Sequence, residues 1–238
     1  MTDALPLANR IALVTGASRG IGEAAALALA EAGAHVVAVA RTTGGLEALE
    51  DRIVGLGGEV TLVPFDLLEL DRIDDLGAEI FNRFGRLDIL LGNAGILGPL
   101  SPVGHIKPVD WDKVMDVNLN ANWRLLRIFD PLLQRSDSGR AVFVTCGAAT
   151  HIQAFWGAYA TSKAALEALV KTYAQENDTT KVRANLLDPG VVRTTMRMKA
   201  FPGEDPETLP KAQELGPLIV RMCSADYEKN GETIKFSH

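Results

Sequence analysis

Short apolar runs alternate with longer amphipathic stretches along this chain. Residues 10–15 (RIALVT) form an apolar run closed by Gly16, the pattern of a buried strand. Residues 20–33 are alanine-rich with glycine at each end and predict a helix. Residues 35–40 (HVVAVA) predict a second strand, 46–56 a helix stopped by Gly57 and Gly58, and 60–65 a third strand whose end Pro64 should take out of the ladder. A helix over 73–84 precedes Gly85, and 87–91 (LDILL) is the fourth strand. A Gly- and Pro-rich loop over 92–108 leads to a long helix over 109–134, expected to break near Pro131. Then come a strand at 140–145, a helix at 158–177 and a strand at 182–187. A loop or lid spans 194–210, followed by a helix at 211–223 and a short strand at 233–236.

Strand and helix alternate throughout, which implies a parallel sheet of about seven strands covered by helices on both faces. Right-handed crossovers make this a doubly wound α/β fold with its ligand crevice at the carboxyl ends of the strands. Residues 1–238 show neither a composition break nor an internal repeat, so one domain is expected, with a substrate-loop insertion around 194–210.

Composition narrows the function. The chain is 47% apolar and carries a net charge of −6 without a long basic run, which argues against nucleic acid as a partner. Its longest apolar stretch is interrupted by Glu31 and His35, so no membrane span is expected. The N-terminal MTDALPLANR lacks the pattern of a signal peptide. Cys146 and Cys223 lie far apart with no metal-ligand spacing; two such thiols fit a reducing, cytoplasmic setting, and no metal site is expected.

Thr15-Gly-Ala-Ser-Arg-Gly-Ile-Gly22 sits between the first strand and the first helix. Gly16 permits a tight turn, Gly20 and Gly22 allow close backbone approach, and the helix start beyond Ser18, Arg19 and Ile21 offers free N–H groups to a pyrophosphate. The second strand ends without a carboxylate, in Ala40, Arg41 and Thr42. Arg41 and Arg19 suit a ribose 2′-phosphate, so NADP(H) is expected over NAD(H); the alternative is that one or both arginines are solvated surface.

Those glycines, Asn93-Ala94-Gly95 after the fourth strand, Asn118, Tyr159-x-x-x-Lys163 and Pro189-Gly190 after the sixth strand occur in one register. Together they resemble the short-chain dehydrogenase/reductase family, over nearly the whole chain, and within it a bacterial branch. The resemblance implies a Rossmann-type fold and a homodimer or homotetramer, although the Asp-Gly-Gly ending frequent in the family is missing. It implies Asp66 and the adjoining Leu67 at the adenine, Asn93, Ala94 and Gly95 under the cofactor, and Pro189, Gly190, Val192 and Thr194 around the nicotinamide carboxamide. Asn118 would hold a water that links the lysine to solvent.

Tyr159 and Lys163 are four apart, so a helix puts them on one face. A free phenol titrates near ~10, and a neighbouring ammonium and a cationic oxidised nicotinamide should lower that value. Tyr159 then exchanges a proton with the oxygen of a small carbonyl or alcohol substrate while the cofactor carries the hydride. Where the family places serine, thirteen residues before the tyrosine, this chain has Cys146. Three readings stay open: a weaker polar group in a working reductase; a packing residue whose task a hydroxyl or water has taken; or a protein that binds NADP(H) and senses redox state with little turnover. Phe155, Trp156, the loop 97–105 and a lid with Met196, Met198 and Phe201 should border an apolar substrate pocket.

Overall fold

In the computed structural model, which describes residues 5–237, seven strands pair in parallel. They are β1 (Ile11–Thr15), β2 (His35–Ala40), β3 (Glu59–Pro64), β4 (Ile89–Gly92), β5 (Arg140–Val144), β6 (Arg183–Asp188) and β7 (Thr233–Lys235). Their order in the sheet is β3-β2-β1-β4-β5-β6-β7. The order reverses between β1 and β4, and there the crevice opens. The helices are α1 (Gly20–Glu31), α2 (Thr43–Gly55), α3 (Asp71–Phe84), α4 (Pro108–Met115), α5 (Ala121–Leu133), α6 (Gly157–Glu176), α7 (Thr195–Ala200) and α8 (Gly216–Cys223). This is the expected Rossmann-type arrangement. Residues 1–4, where the stretch read for a signal peptide begins, and residue 238 lie outside the described residues.

Each central strand is buried on both faces, so alternate side chains enter opposite cores. Val36 and Ala38 join Val14, Leu91 and Val142 under α1, α2 and α8. Val37 and Val39 join Leu13, Leu90 and Phe143 under α3, α5 and α6. Ile73, Leu76 and Ile80 give α3 one apolar stripe, and Gly85 ends it in the left-handed conformation at φ 72°. Near the amino ends of the strands, the buried Arg140 guanidinium donates to the carbonyls of Gly139, Lys181, Ser224 and Ala225.

Three expectations need correction. Pro64 stays in the ladder, paired with Ala40. β3 is an edge strand, so a missing N–H there leaves no neighbour unmet. The long helix does not break near Pro131, which lies inside α5 close to its end and costs one intrahelical bond. The irregularity falls earlier, in a π-helical turn over Asp116–Asn120 where the Ala121 N–H reaches the Asp116 carbonyl. The segment expected as a loop from Thr194 begins with α7, because the Thr194 side chain caps it by accepting from the Arg197 N–H at 3.1 Å. Among the described residues no helix is long and apolar enough to cross a membrane.

Candidate active site

The crevice starts where β1 runs into α1. Gly16 has φ 67° and Gly20 φ 58°, a conformation that glycine adopts without strain. A Cβ on Gly22 would stand 2.2 Å from the Gly16 carbonyl oxygen, so the turn closes only over a bare α-carbon. The Asn93 side-chain amide donates to the carbonyl of Thr15 at 2.9 Å. In return the Thr15 hydroxyl oxygen accepts from the N–H groups of Asn93 and Ala94 at 3.0 and 3.1 Å. These bonds tie the end of β1 to the end of β4 and leave the start of α1 facing open space.

That space is a cavity of about 480 Å³ running across the carboxyl ends of the strands. Ser18, Arg19, Gly20, Ile21, Arg41, Thr42, Asp66 and Leu67 line one end, and Asn93, Ala94 and Gly95 its floor. Pro189, Gly190, Val192, Thr194, Cys146, Tyr159 and Lys163 line the other. Of the residues expected in the site, Gly22 and Asn118 stand behind the wall. Arg41 pairs with Asp66 at 3.3 Å, and the Asp66 carboxylate also accepts from the Leu68 N–H at 3.1 Å. Arg19 is exposed and has no ion pair among the described residues.

Asn118 sits in the π-helical turn with no exposed surface. Its side-chain oxygen accepts from the Ile96 N–H at 2.8 Å, and its amide donates to the Ile96 carbonyl and the Ser162 hydroxyl, both at 3.0 Å. Both amide hydrogens are thereby used. The side chain clamps the backbone beyond Gly95 to α6. Ser162, whose hydroxyl donates to the Tyr159 carbonyl at 2.8 Å, went unnoticed in the sequence. Its position three residues after Tyr159, on the same helical face, was the available signal.

α6 presents Tyr159 and Lys163 on one face, 7% and 4% exposed. The Lys163 ammonium donates to the Val144 carbonyl at 2.7 Å and lies 6.0 Å from the centre of the Tyr159 ring. Burial lowers its pKa. The Tyr159 hydroxyl donates to the Met196 sulfur at 3.8 Å, and Cys146 lines the same cavity. The Tyr159 pKa is not lowered, as expected from the sequence, but raised well above the ordinary phenol value. Burial is the main cause, and the Cys146 sulfur and Asp188 add to it. The desolvation of a phenolate outweighs the influence of an ammonium whose hydrogen bond is spent on a carbonyl.

Thr145 turns away, as strand alternation requires, and donates to Glu167 at 2.8 Å. His151 lines the crevice and its Nδ1 lies 3.0 Å from the Thr150 hydroxyl. Trp156 stands edge-on to Tyr159 with centroids 5.8 Å apart, and against Phe201 at 5.7 Å. Phe155 and Met198, expected at the pocket, point outward at 55% and 45% exposure. Phe155 has φ 73°, an uncommon backbone conformation for a residue other than glycine.

A parallel nucleotide-type crevice with a buried Tyr-Lys pair at its far end defines the class. Residues 10–205 match the short chain dehydrogenase family, and the chain belongs to it. Among relatives, it is 38% identical over 223 residues to the uncharacterised oxidoreductase YciK of Escherichia coli K12, covering 92% of this chain and 88% of that one. A short chain dehydrogenase structure from Salmonella enterica serovar Typhi superposes with a TM-score of 0.94 at 37% identity, over 99% of this chain and 98% of that one. One from Escherichia coli CFT073, complexed with NADPH, gives 0.93 at 37% identity over 98% of each chain.

Replacing Asn118 by Ala strands the Ile96 N–H and carbonyl, each about 1–3 kcal/mol if left unpaired. Urea unfolding should therefore show Asn118→Ala losing roughly 2–5 kcal/mol. A loss below about 1 kcal/mol would mean that the clamp does not hold that strand end.

Proposed function

We infer that this protein is an NADP(H)-dependent oxidoreductase that interconverts a carbonyl compound and an alcohol, with Tyr159 as general acid and base. The observation that carries the reading is the buried Tyr159 hydroxyl facing the same cavity that the bare glycine turn opens at its other end.

The residues present fit a dinucleotide. A Cβ at Gly20 would meet nothing nearer than the Thr194 side chain at 3.6 Å, so backbone N–H groups at the start of α1 are reachable by a pyrophosphate. A Cβ at Gly95 would come 3.3 Å from Asn118 and 3.7 Å from Lys163, so bare backbone keeps the floor open there. Arg41 and Arg19 line the end at the glycine turn and would hold a 2′-phosphate, with Arg41 exchanging its Asp66 partner for it; no carboxylate ends β2 itself. Relatives solved with NADPH and NADP support the same choice. When bound, the reduced dinucleotide supplies the hydride.

The protein supplies position and a proton. In reduction, the Tyr159 hydroxyl hydrogen goes to the carbonyl oxygen as that oxygen gains charge. The Lys163 ammonium stabilises the phenolate left behind. Cys146 lines the same cavity as Tyr159 and would orient the substrate oxygen more weakly than a serine. Apolar Val109 and Trp123, exposed on α4 and α5, support a homo-oligomer joined through these helices. Two free thiols support a cytoplasmic location.

The raised Tyr159 pKa fixes the sign of the pH dependence: the phenol keeps its proton at neutral pH. Reduction should stay level between about pH 6 and 8, while alcohol oxidation climbs as pH rises. Oxidation that falls with pH, or a Tyr159→Phe variant that retains turnover, contradicts the assignment. Arg41→Ala should weaken NADPH binding about tenfold or more and NADH binding little; equal losses, by fluorescence titration, remove the phosphate contact. Cys146→Ser should keep or raise carbonyl reduction, and a large loss would give the thiol a chemistry of its own.

A further inference from the structure

Resting on the reductase reading, we propose that the substrate is an uncharged aryl carbonyl compound whose ring lies against a wall formed by Trp156 and Phe201. The wall is continuous. Tyr159, Trp156 and Phe201 follow one another at 5.8 and 5.7 Å between centroids, from the acid/base phenol to the lid. The Arg197 guanidinium stacks on Phe201 at 3.7 Å and is held by both oxygens of Glu204 at 2.6 and 2.7 Å. A second pair, Arg193 with Glu207, fastens the far end of the same segment. Phe201 is therefore a braced surface on a short segment, unlike the outward-turned Met198.

In the slot beside this wall Met196 borders the phenol: its sulfur accepts from the Tyr159 hydroxyl at 3.8 Å. The hydroxyl has one hydrogen to give, so an oxygen that takes it at about 2.7 Å replaces the Met196 sulfur as acceptor when substrate enters. A flexible thioether against aromatic rings is the side chain a flat ring displaces most easily. Rings in offset or edge contact gain beyond their buried area, which favours an aryl group over an alkyl group of equal size.

Charge argues in the same direction. Arg197 is spent on Glu204, Lys163 on the Val144 carbonyl, and Asp188 accepts from the Gly190 N–H at 3.0 Å. His151 and Gln153 give the slot a polar rim without a fixed charge pair. Lys113 lines the crevice from α4, is exposed and has no ion pair among the described residues. It is the source of the competing reading, a carboxylated substrate.

The test compares acetophenone, cyclohexyl methyl ketone, pyruvate and an acetoacetyl thioester as substrates with NADPH. A parallel calorimetric titration uses the NADP⁺-loaded protein, in which the ketones bind without turning over. Acetophenone should exceed cyclohexyl methyl ketone, whose ring is of equal size, by about threefold to tenfold in kcat/KM. Phe201→Ala should erase that ratio through KM and weaken acetophenone binding by a similar factor, while Phe201→Tyr restores both. Preference for pyruvate or the thioester, or an aryl-to-alkyl ratio unchanged in Phe201→Ala, overturns the aryl assignment and leaves the reductase reading standing. Acetophenone binding that depends on Phe201 without turnover of any carbonyl sinks the reductase reading and keeps the aryl site. Neither binding nor turnover ends both.

Discussion

The site depends on the parting of β1 and β4. Parallel strands leave their amide-rich helix starts and their loop side chains at the same carboxyl edge, and the reversal of order between these two strands leaves a gap that no crossover covers. The gap would be a weak point if the strand ends were free. Thr15 prevents this by exchanging three hydrogen bonds across it, two with Asn93 and one with Ala94. A single threonine hydroxyl takes up two N–H groups that the ladder has abandoned, so the floor stays rigid exactly where it must remain bare. Gly16 and Gly22 then allow the chain to turn over that floor without filling it.

The opposite wall is built by a second departure from regular structure. In an unbroken helix, Asn118 would hold its amide in line with the turns around it. The π-helical turn widens the backbone there, and the amide reaches both the Ile96 peptide groups and Ser162 on α6. Tyr159 and Lys163 are consequently fixed by an element that touches neither of their reactive atoms. Such a turn costs hydrogen-bond geometry, and the compensation is that a loop, a helix bend and α6 share one side chain.

The sequence made the sheet legible because buried parallel strands are continuous apolar runs, and every one of the seven was located within a residue or two. Glycines at turns and the Tyr-Lys spacing were legible for the same kind of reason: each has a local cause. What escaped depends on distant partners. The π-helical turn has no local signature, whereas Pro131 has a strong one, so the irregularity was sought at the proline. Thr194 carried a capping signal that the Pro- and Gly-rich character of the following residues concealed. Phe155 and Trp156 look interchangeable in sequence, yet Trp156 packs against Tyr159 and Phe201 while Phe155, at positive φ, lies exposed.

The Tyr159 pKa carries the same lesson into chemistry. Spacing along a helix predicts which charges are near, and proximity to Lys163 pointed downward. Burial is a property of the finished fold, and it points upward with greater force. The two statements concern different states of one site. With the crevice walls closed around it and the lysine bonded to Val144, the phenol is a well-protected acid, which suits the donation of a proton to a carbonyl oxygen. The reverse reaction needs positive charge brought to the phenolate. Lys163, 6.0 Å from the ring centre, and an oxidised nicotinamide would supply it. Such a cofactor would couple the protonation of Tyr159 to its own redox state, so the acid form would belong to reduction and the base form to oxidation.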